Sequence, residues 1–234
     1  MMTTSAISAP ISAPDLGATP DGFAKLAAGA GFLTFVVGMA MTPLTGTPPG
    51  LGDAPADVAA YFTSDIGAHQ AVVVLSAFLG LPLALLFAGV YRALARSSVP
   101  AASGWSGLFL FGAVMMSATA GVQEALLGLA VHQGEVDPDP GLLRLLSDGS
   151  NVAGASLGVW LAVAFGAVAV VVLRTDGPRW YGIGSAVIAG IGLVSIVDAT
   201  GAGTDGVLGE LAFTGFIVWV VASSIVLLRR PLAT

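Results

Sequence analysis

The chain has 234 residues, of which 56% are hydrophobic and 9% charged, with a net charge of −6 and no cysteine. A water-soluble domain solvates its surface with roughly 25% charged residues. This composition therefore excludes a soluble enzyme and a wholly disordered chain, and the acidic balance argues against a nucleic-acid binder. Without cysteine there are no disulfides, thiolate zinc sites or thiol nucleophiles, and a mean hydropathy of +0.91 leaves a polytopic membrane protein.

Residues 1–22 are rich in Ser, Thr and Ala, include Pro10, Pro14 and Pro20, and show no apolar period. They read as a disordered tail and lack the basic opening of a secretory signal. Crossing a hydrocarbon layer of about 30 Å takes about 20 helical residues. Six apolar runs meet that length: 23–41, 68–94, 103–131, 151–173, 180–199 and 207–228. None alternates as a barrel strand does, and bilayer-embedded backbone must satisfy its own hydrogen bonds. The expectation is an all-α, six-transmembrane-helix bundle, one domain over 23–230, with 231–234 as a short tail.

Lys25 opens the first span, Arg92 and Arg96 follow the second, Arg174 and Arg179 join the fourth to the fifth, and Arg229 and Arg230 follow the sixth. With six spans these seven share one side, and Arg144 alone lies on the other. The positive-inside rule then puts both termini in the cytoplasm of a cell bounded by this inner, plasma membrane.

The first outer loop contains Asp53, Pro55 and the trio Val58, Tyr61 and Phe62. Asp53 is expected to cap a short helix with Pro55 in its first turn, the trio forming an apolar face against the membrane surface. In the second, Glu135, Asp137 and Asp139 precede Pro140 and a leucine pattern, which reads as another capped interfacial helix. The third outer loop is short and Gly-rich.

The connection Arg174-Thr175-Asp176-Gly177-Pro178-Arg179-Trp180-Tyr181-Gly182 leads into a Gly-rich apolar helix. It resembles the Leu-Pro-Arg-Trp-Leu-Gly signature of a bacterial family of uncharacterised six-span membrane proteins. The stretch Ala54-Pro55-Ala56-Asp57-Val58-Ala59-Ala60-Tyr61-Phe62, leading to His69, is similar to actinobacterial-type members. Tyr181 departs from the usual Leu. The resemblance implies the six-span architecture and carries no reaction with it. Independently of the family, Arg179, Trp180 and Tyr181 read as membrane-interface anchors, the arginine on lipid phosphate and the aromatic rings in the belt.

Polar side chains at membrane depth are costly, which makes them candidates for function. They gather toward the outer leaflet: His69 and Gln70 open the second span, Gln123 and Glu124 lie about two turns before the third ends, and His132 closes it. Asp148 and Asn151 open the fourth, Asp198 closes the fifth and Glu210 lies one turn inside the sixth. His69, Gln70, Gln123, Glu124, Asp198 and Glu210 form the candidate polar pocket. Ser117, Ala120, Gly121, Glu124 and Gly128 make a small-residue stripe that turns Glu124 toward a neighbouring helix. Gly154 with Gly158, and Gly182 with Ala186 and Gly190, supply comparable faces. Pro82 interrupts the second span at mid-membrane, where a kink is expected. No metal-ligand spacing occurs, and two histidines are too few for a three-His zinc site, so no metal or cofactor is expected.

Three functional readings follow. The first is a non-catalytic structural, accessory or small-ligand-sensing membrane protein. The second is a proton-coupled transporter using Glu124 with Asp198 and Glu210. The third is a membrane-embedded, metal-dependent, lipid-modifying enzyme. The expected partners are membrane lipids and, through helix packing, further copies or other membrane proteins; nucleic acid is not among them.

Overall fold

Apolar runs bounded by proline, glycine and polar loops become helices in a computed structural model of the protein. It describes residues 22–97, 99, 102–200 and 207–229, without the side chains of 42 and 198–200. The helices are α1 (Gly22–Thr45), α2 (Pro55–Thr63), α3 (Ile66–Ala95), α4 (Ala102–Val136), α5 (Pro140–Leu173), α6 (Arg179–Val194) and α7 (Val207–Arg229). A 3-10 turn, Ser195–Thr200, extends α6. Six helices are long and apolar enough to cross a membrane, and no strand occurs among the described residues. The expected tails lie outside the described residues, except that Gly22 already belongs to α1.

The six long helices close a ring, with α1 on α3 and α7, α3 on α4, α4 on α5, α5 on α6 and α6 on α7. Glycine permits the tightest approaches. A Cβ on Gly112 would sit 2.8 Å from the Ala164 backbone nitrogen, and one on Gly192 would sit 2.7 Å from the Gly158 carbonyl oxygen. Ala27 of α1 fills the space that Gly89 of α3 leaves open. Outward-facing Phe78, Leu81, Val187 and Phe213 form part of the apolar belt, as expected where lipid replaces water.

The ring closes on Trp219, which is 1% exposed. Its indole stacks on Phe165 with ring centroids 4.2 Å apart, and Phe87, Phe109 and Tyr181 pack around it. Trp219 Nε1 donates to Ser185 Oγ at 3.1 Å, and Ser185 Oγ donates to the Tyr181 carbonyl at 2.8 Å. Ser223 Oγ donates to the Trp219 carbonyl at 2.7 Å, so its single proton is committed. The Tyr181 hydroxyl, 2.7 Å from Ser223 Oγ, is therefore the donor to it. Each serine accepts from one aromatic ring and donates to its own helix, which leaves no orphan in this apolar layer. Tyr181, expected beside Trp180 as an interface anchor, is thus a core residue, 1% exposed. Arg179 and Trp180 remain outside.

At the far end, α4 and α5 are 35 and 34 residues long. At 1.5 Å per residue each reaches about 50 Å, beyond a hydrocarbon layer of about 30 Å. The second outer loop is therefore no separate interfacial helix. Its leucine pattern is the opening of α5, whose N-cap Asp139 accepts from the backbone N–H groups of Gly141 (2.7 Å) and Leu142 (3.1 Å). α2 docks on this hairpin, burying Val58 and Phe62 against Ala130, Val131 and Leu143. Its apolar face is turned into protein instead of lying on the membrane surface. Ala54, not Asp53, is its N-cap; the Asp53 carboxylate accepts instead from the Gly50 N–H at 2.8 Å.

Two substitutions test the serine–aromatic closure. Ser223→Ala leaves the Tyr181 hydroxyl buried without an acceptor and is expected to cost about 1–3 kcal/mol. Tyr181→Phe removes donor and demand together and is expected to cost about 1 kcal/mol. Thermal unfolding in detergent should rank the two in that order, with the double variant no worse than Ser223→Ala.

Candidate functional site

The outer halves of α3 and α4 run antiparallel. Gln70, Val73 and Ser76 recur at three-residue intervals on α3, facing Glu135, Gly128 and Glu124 on α4 in reverse order. Gln70 Nε2 donates to a Glu135 carboxylate oxygen at 2.8 Å. A Cβ on Gly128 would lie 3.5 Å from Val73 Cγ1, an ordinary contact. The Glu124 carboxyl meets Ser76. Between these pairs lies a groove of about 310 Å³ lined by Gln70, Val73, Val74, Gly128, Val131, His132 and Glu135. Glu124 is eleven residues from Glu135, about 16 Å further into the bundle. The groove thus has an acidic rim and valine walls; Glu124 lies outside its lining, one helical turn from Gly128.

Ser76 cannot fully satisfy the Glu124 carboxyl in both of its protonation states. Its hydroxyl has one proton, for which the Val72 carbonyl at 2.9 Å and the Glu124 carboxylate compete. A neutral Glu124 can donate to Ser76, whereas an ionised one draws on that single shared proton and keeps further lone pairs for a donor or cation. This is a side chain with unused acceptor capacity at membrane depth.

Of the expected pocket residues, Gln70 lines the groove and the others are placed elsewhere. Gln123, one residue before Glu124, turns to α5, where its Nε2 lies 2.9 Å from the position a Cβ on Gly154 would take. His69 is 5% exposed and wedged at the α2–α3 corner, edge-on to Tyr61 at 4.6 Å between centroids. Its Nδ1 is 3.3 Å from the Asp65 carbonyl, and its Nε2 has no hydrogen-bond partner. Glu210 is exposed in the first turn of α7, a favourable place for an acid beside the helix dipole. Asp198 belongs to the 3-10 turn, and its side chain lies outside the described residues. No group of three or more His, Asp or Glu able to hold a metal occurs among the described residues. Arg144 pairs with Asp148 at 3.4 Å, and Asn151 Nδ2 donates to the Pro49 carbonyl at 3.0 Å, fastening the first outer loop to α5.

The small-residue stripe is also corrected. Ser117 and Gly121 are exposed, and a Cβ on Gly121 would meet nothing within 4 Å. Only the outer members Glu124 and Gly128 face α3; the close α4–α5 approach is at Gly112. On α6 the packed face is Gly182, Ser185, Ile188 and Gly192, while Ala186 and Gly190 are exposed. α3 continues as one helix through Pro82.

Sequence reasoning overlooked Glu135 as a groove residue and Gly134 as the seat of α2. Extending the helical period of Glu124 and Gly128 past the expected end of the span would have reached Glu135. Comparison of the chain with protein-family models, curated proteins and solved structures gives no significant match.

A Cβ on Gly134 would sit 2.7 Å from the Phe62 carbonyl oxygen, so Gly134→Val should push α2 off the hairpin. The expected cost is about 1–3 kcal/mol, with faster amide exchange across 58–62. Gly121→Val, placed where nothing is near, should leave both readouts within error.

Proposed function

We propose that this protein is a non-catalytic, small-ligand-sensing membrane protein whose ligand is a small cationic amphiphile held in the α3–α4 groove. The single observation that carries the reading is Glu124, a carboxyl at membrane depth whose Ser76 neighbour has one proton for both it and the Val72 carbonyl. An alkylammonium fits this chemistry: its tail matches Val73, Val74 and Val131, and its head can pair with a carboxylate. The long outer hairpin and the docked α2 provide a water-facing part through which occupancy can be relayed to a partner. Within this proposal the chain lies in the plasma membrane with both termini cytoplasmic. Lys25, Arg92, Arg96, Arg174, Arg179 and Arg229 favour that orientation, with Arg144 opposite. Kinship with the uncharacterised six-span family belongs to the same proposal and rests on Pro178-Arg179-Trp180 and the 54–62 stretch. So does assembly through the lipid-facing helices.

A transporter reading is favoured by one observation: Ser76, which meets Glu124, and Pro82 lie on the same helix. Pro82 removes one backbone hydrogen bond from a helix that continues through it, a weak point on which a transport movement can turn.

The ligand test is thermal unfolding in detergent with added octylammonium, using octyl glucoside as the neutral control. Octylammonium should raise the midpoint saturably, and Glu124→Gln should weaken the apparent affinity at least about tenfold, the loss of one charge-assisted contact. Equal responses in wild type and variant would defeat the sensing reading. Saturable proton-driven uptake of the amine into proteoliposomes, lost in Glu124→Gln, would move the assignment to transport. A reporter fused after Arg230 should be active only in its cytoplasm-dependent form.

A further inference from the structure

A second cavity, of about 220 Å³, lies at the opposite end of the bundle, between the start of α6 and the end of α7. Pro178 and Trp180 form one wall, Ile225 and Val226 the other, and Arg229 supplies its charge. Proline cannot extend a helix backward from this point. Trp180 turns outward, 57% exposed, while its neighbour Tyr181 turns into the core toward Ser223. That divergence leaves an apolar slot beside the α7 end. Arg229 is exposed and forms no ion pair among the described residues. Arg179, exposed beside Trp180, forms none either.

Charge complementarity identifies the occupant. At this end the described residues include Lys25, Arg92, Arg96, Arg174, Arg179 and Arg229, against the single acid Asp176. The opposite end carries Asp53, Asp57, Asp65, Glu135, Asp137, Asp139, Asp148 and Glu210 with Arg144 alone. We infer that the Pro178–Trp180–Arg229 cavity is a specific site for an anionic phospholipid, its phosphate on Arg229 and the upper part of one acyl chain between Trp180 and Ile225. A zwitterionic lipid fits the same walls, but its quaternary amine would face an end with six cations against one acid among the described residues. Basic pockets between membrane helices take acidic head groups on these grounds. The site is independent of the α3–α4 groove, and either assignment can fail without the other.

Trp180 lines the cavity and so reports on it directly. The full chain is placed in phosphatidylcholine nanodiscs containing increasing fractions of phosphatidylglycerol or phosphatidylcholine with brominated acyl chains. The quenching absent from Trp180→Phe is assigned to Trp180. Brominated phosphatidylglycerol should reach half-maximal quenching at a mole fraction about fivefold lower than brominated phosphatidylcholine, the preference expected of one arginine. Arg229→Gln should abolish the preference, and Ile225→Phe, which fills the slot and keeps the charge, should reduce Trp180 quenching by both lipids. Equal half-maxima in wild type, or a preference that survives Arg229→Gln, would overturn the proposal. Excess inorganic phosphate should not relieve the quenching; if it does, the site belongs to a soluble anion and the lipid assignment fails.

Discussion

Hydrogen-bond closure inside an apolar layer is the constraint on which this structure depends. Trp219 and Tyr181 bring large rings to the ring centre, and each carries one donor that hydrocarbon cannot satisfy. Ser185 and Ser223 resolve both, because a serine can accept from a ring while its own proton returns to the carbonyl four residues back. The pairing fixes the rotation of α6 against α7: Tyr181 and Ser185 must both face α7, which aims Gly182 at α5 and leaves Trp180 outside. Stacking of Phe165 on Trp219 then ties α5 to the same centre. The lipid cavity beside Trp180 follows from this rotation.

The outer end follows a different rule because water is within reach. There α4 and α5 continue past the layer, and a second small core forms under α2. The outer half of α3 packs little protein around itself; Val74 and Phe78 are exposed. That thin cover leaves a groove along the seam of α3 with α4. Polar residues can line that groove because its rim faces away from the apolar layer, while Glu124 lies below the rim beside Ser76.

Span count, the paired arginines and the proline-led helix starts were legible because each depends on local composition: apolar length, charge at loop ends, and Pro55 or Pro140 in a first turn. Which face of a span is inside was not. In a membrane helix both faces are apolar, so periodicity carries little information. Gly190 and Gly192 look equivalent along the chain, yet only Gly192 meets α5. Tyr181 beside Trp180 has the composition of an aromatic belt, and nothing local reveals that Ser223, 42 residues away, waits for its hydroxyl. Asp53 has the chemistry of a cap but is held by Gly50. Among the described side chains, the expected polar cluster is dispersed for a similar reason. Residues at one depth need not share one side, and Gln123 and Glu124, adjacent in sequence, point to different helices.

That separation narrows what Glu124 can do. A structural lock between helices needs a partner that stays bound in either protonation state, such as the amide of Gln123, which has both donors and acceptors. Ser76 holds only one proton, for which the Val72 carbonyl and the carboxyl compete. A purely structural polar pair at this depth would be better served by that amide, which instead lies over Gly154. Glu124 therefore keeps acceptor capacity that the helix pair does not fill, one turn below a groove whose walls are apolar and whose mouth is acidic. A cation carrying a short hydrocarbon tail satisfies all three features, and a proton satisfies one.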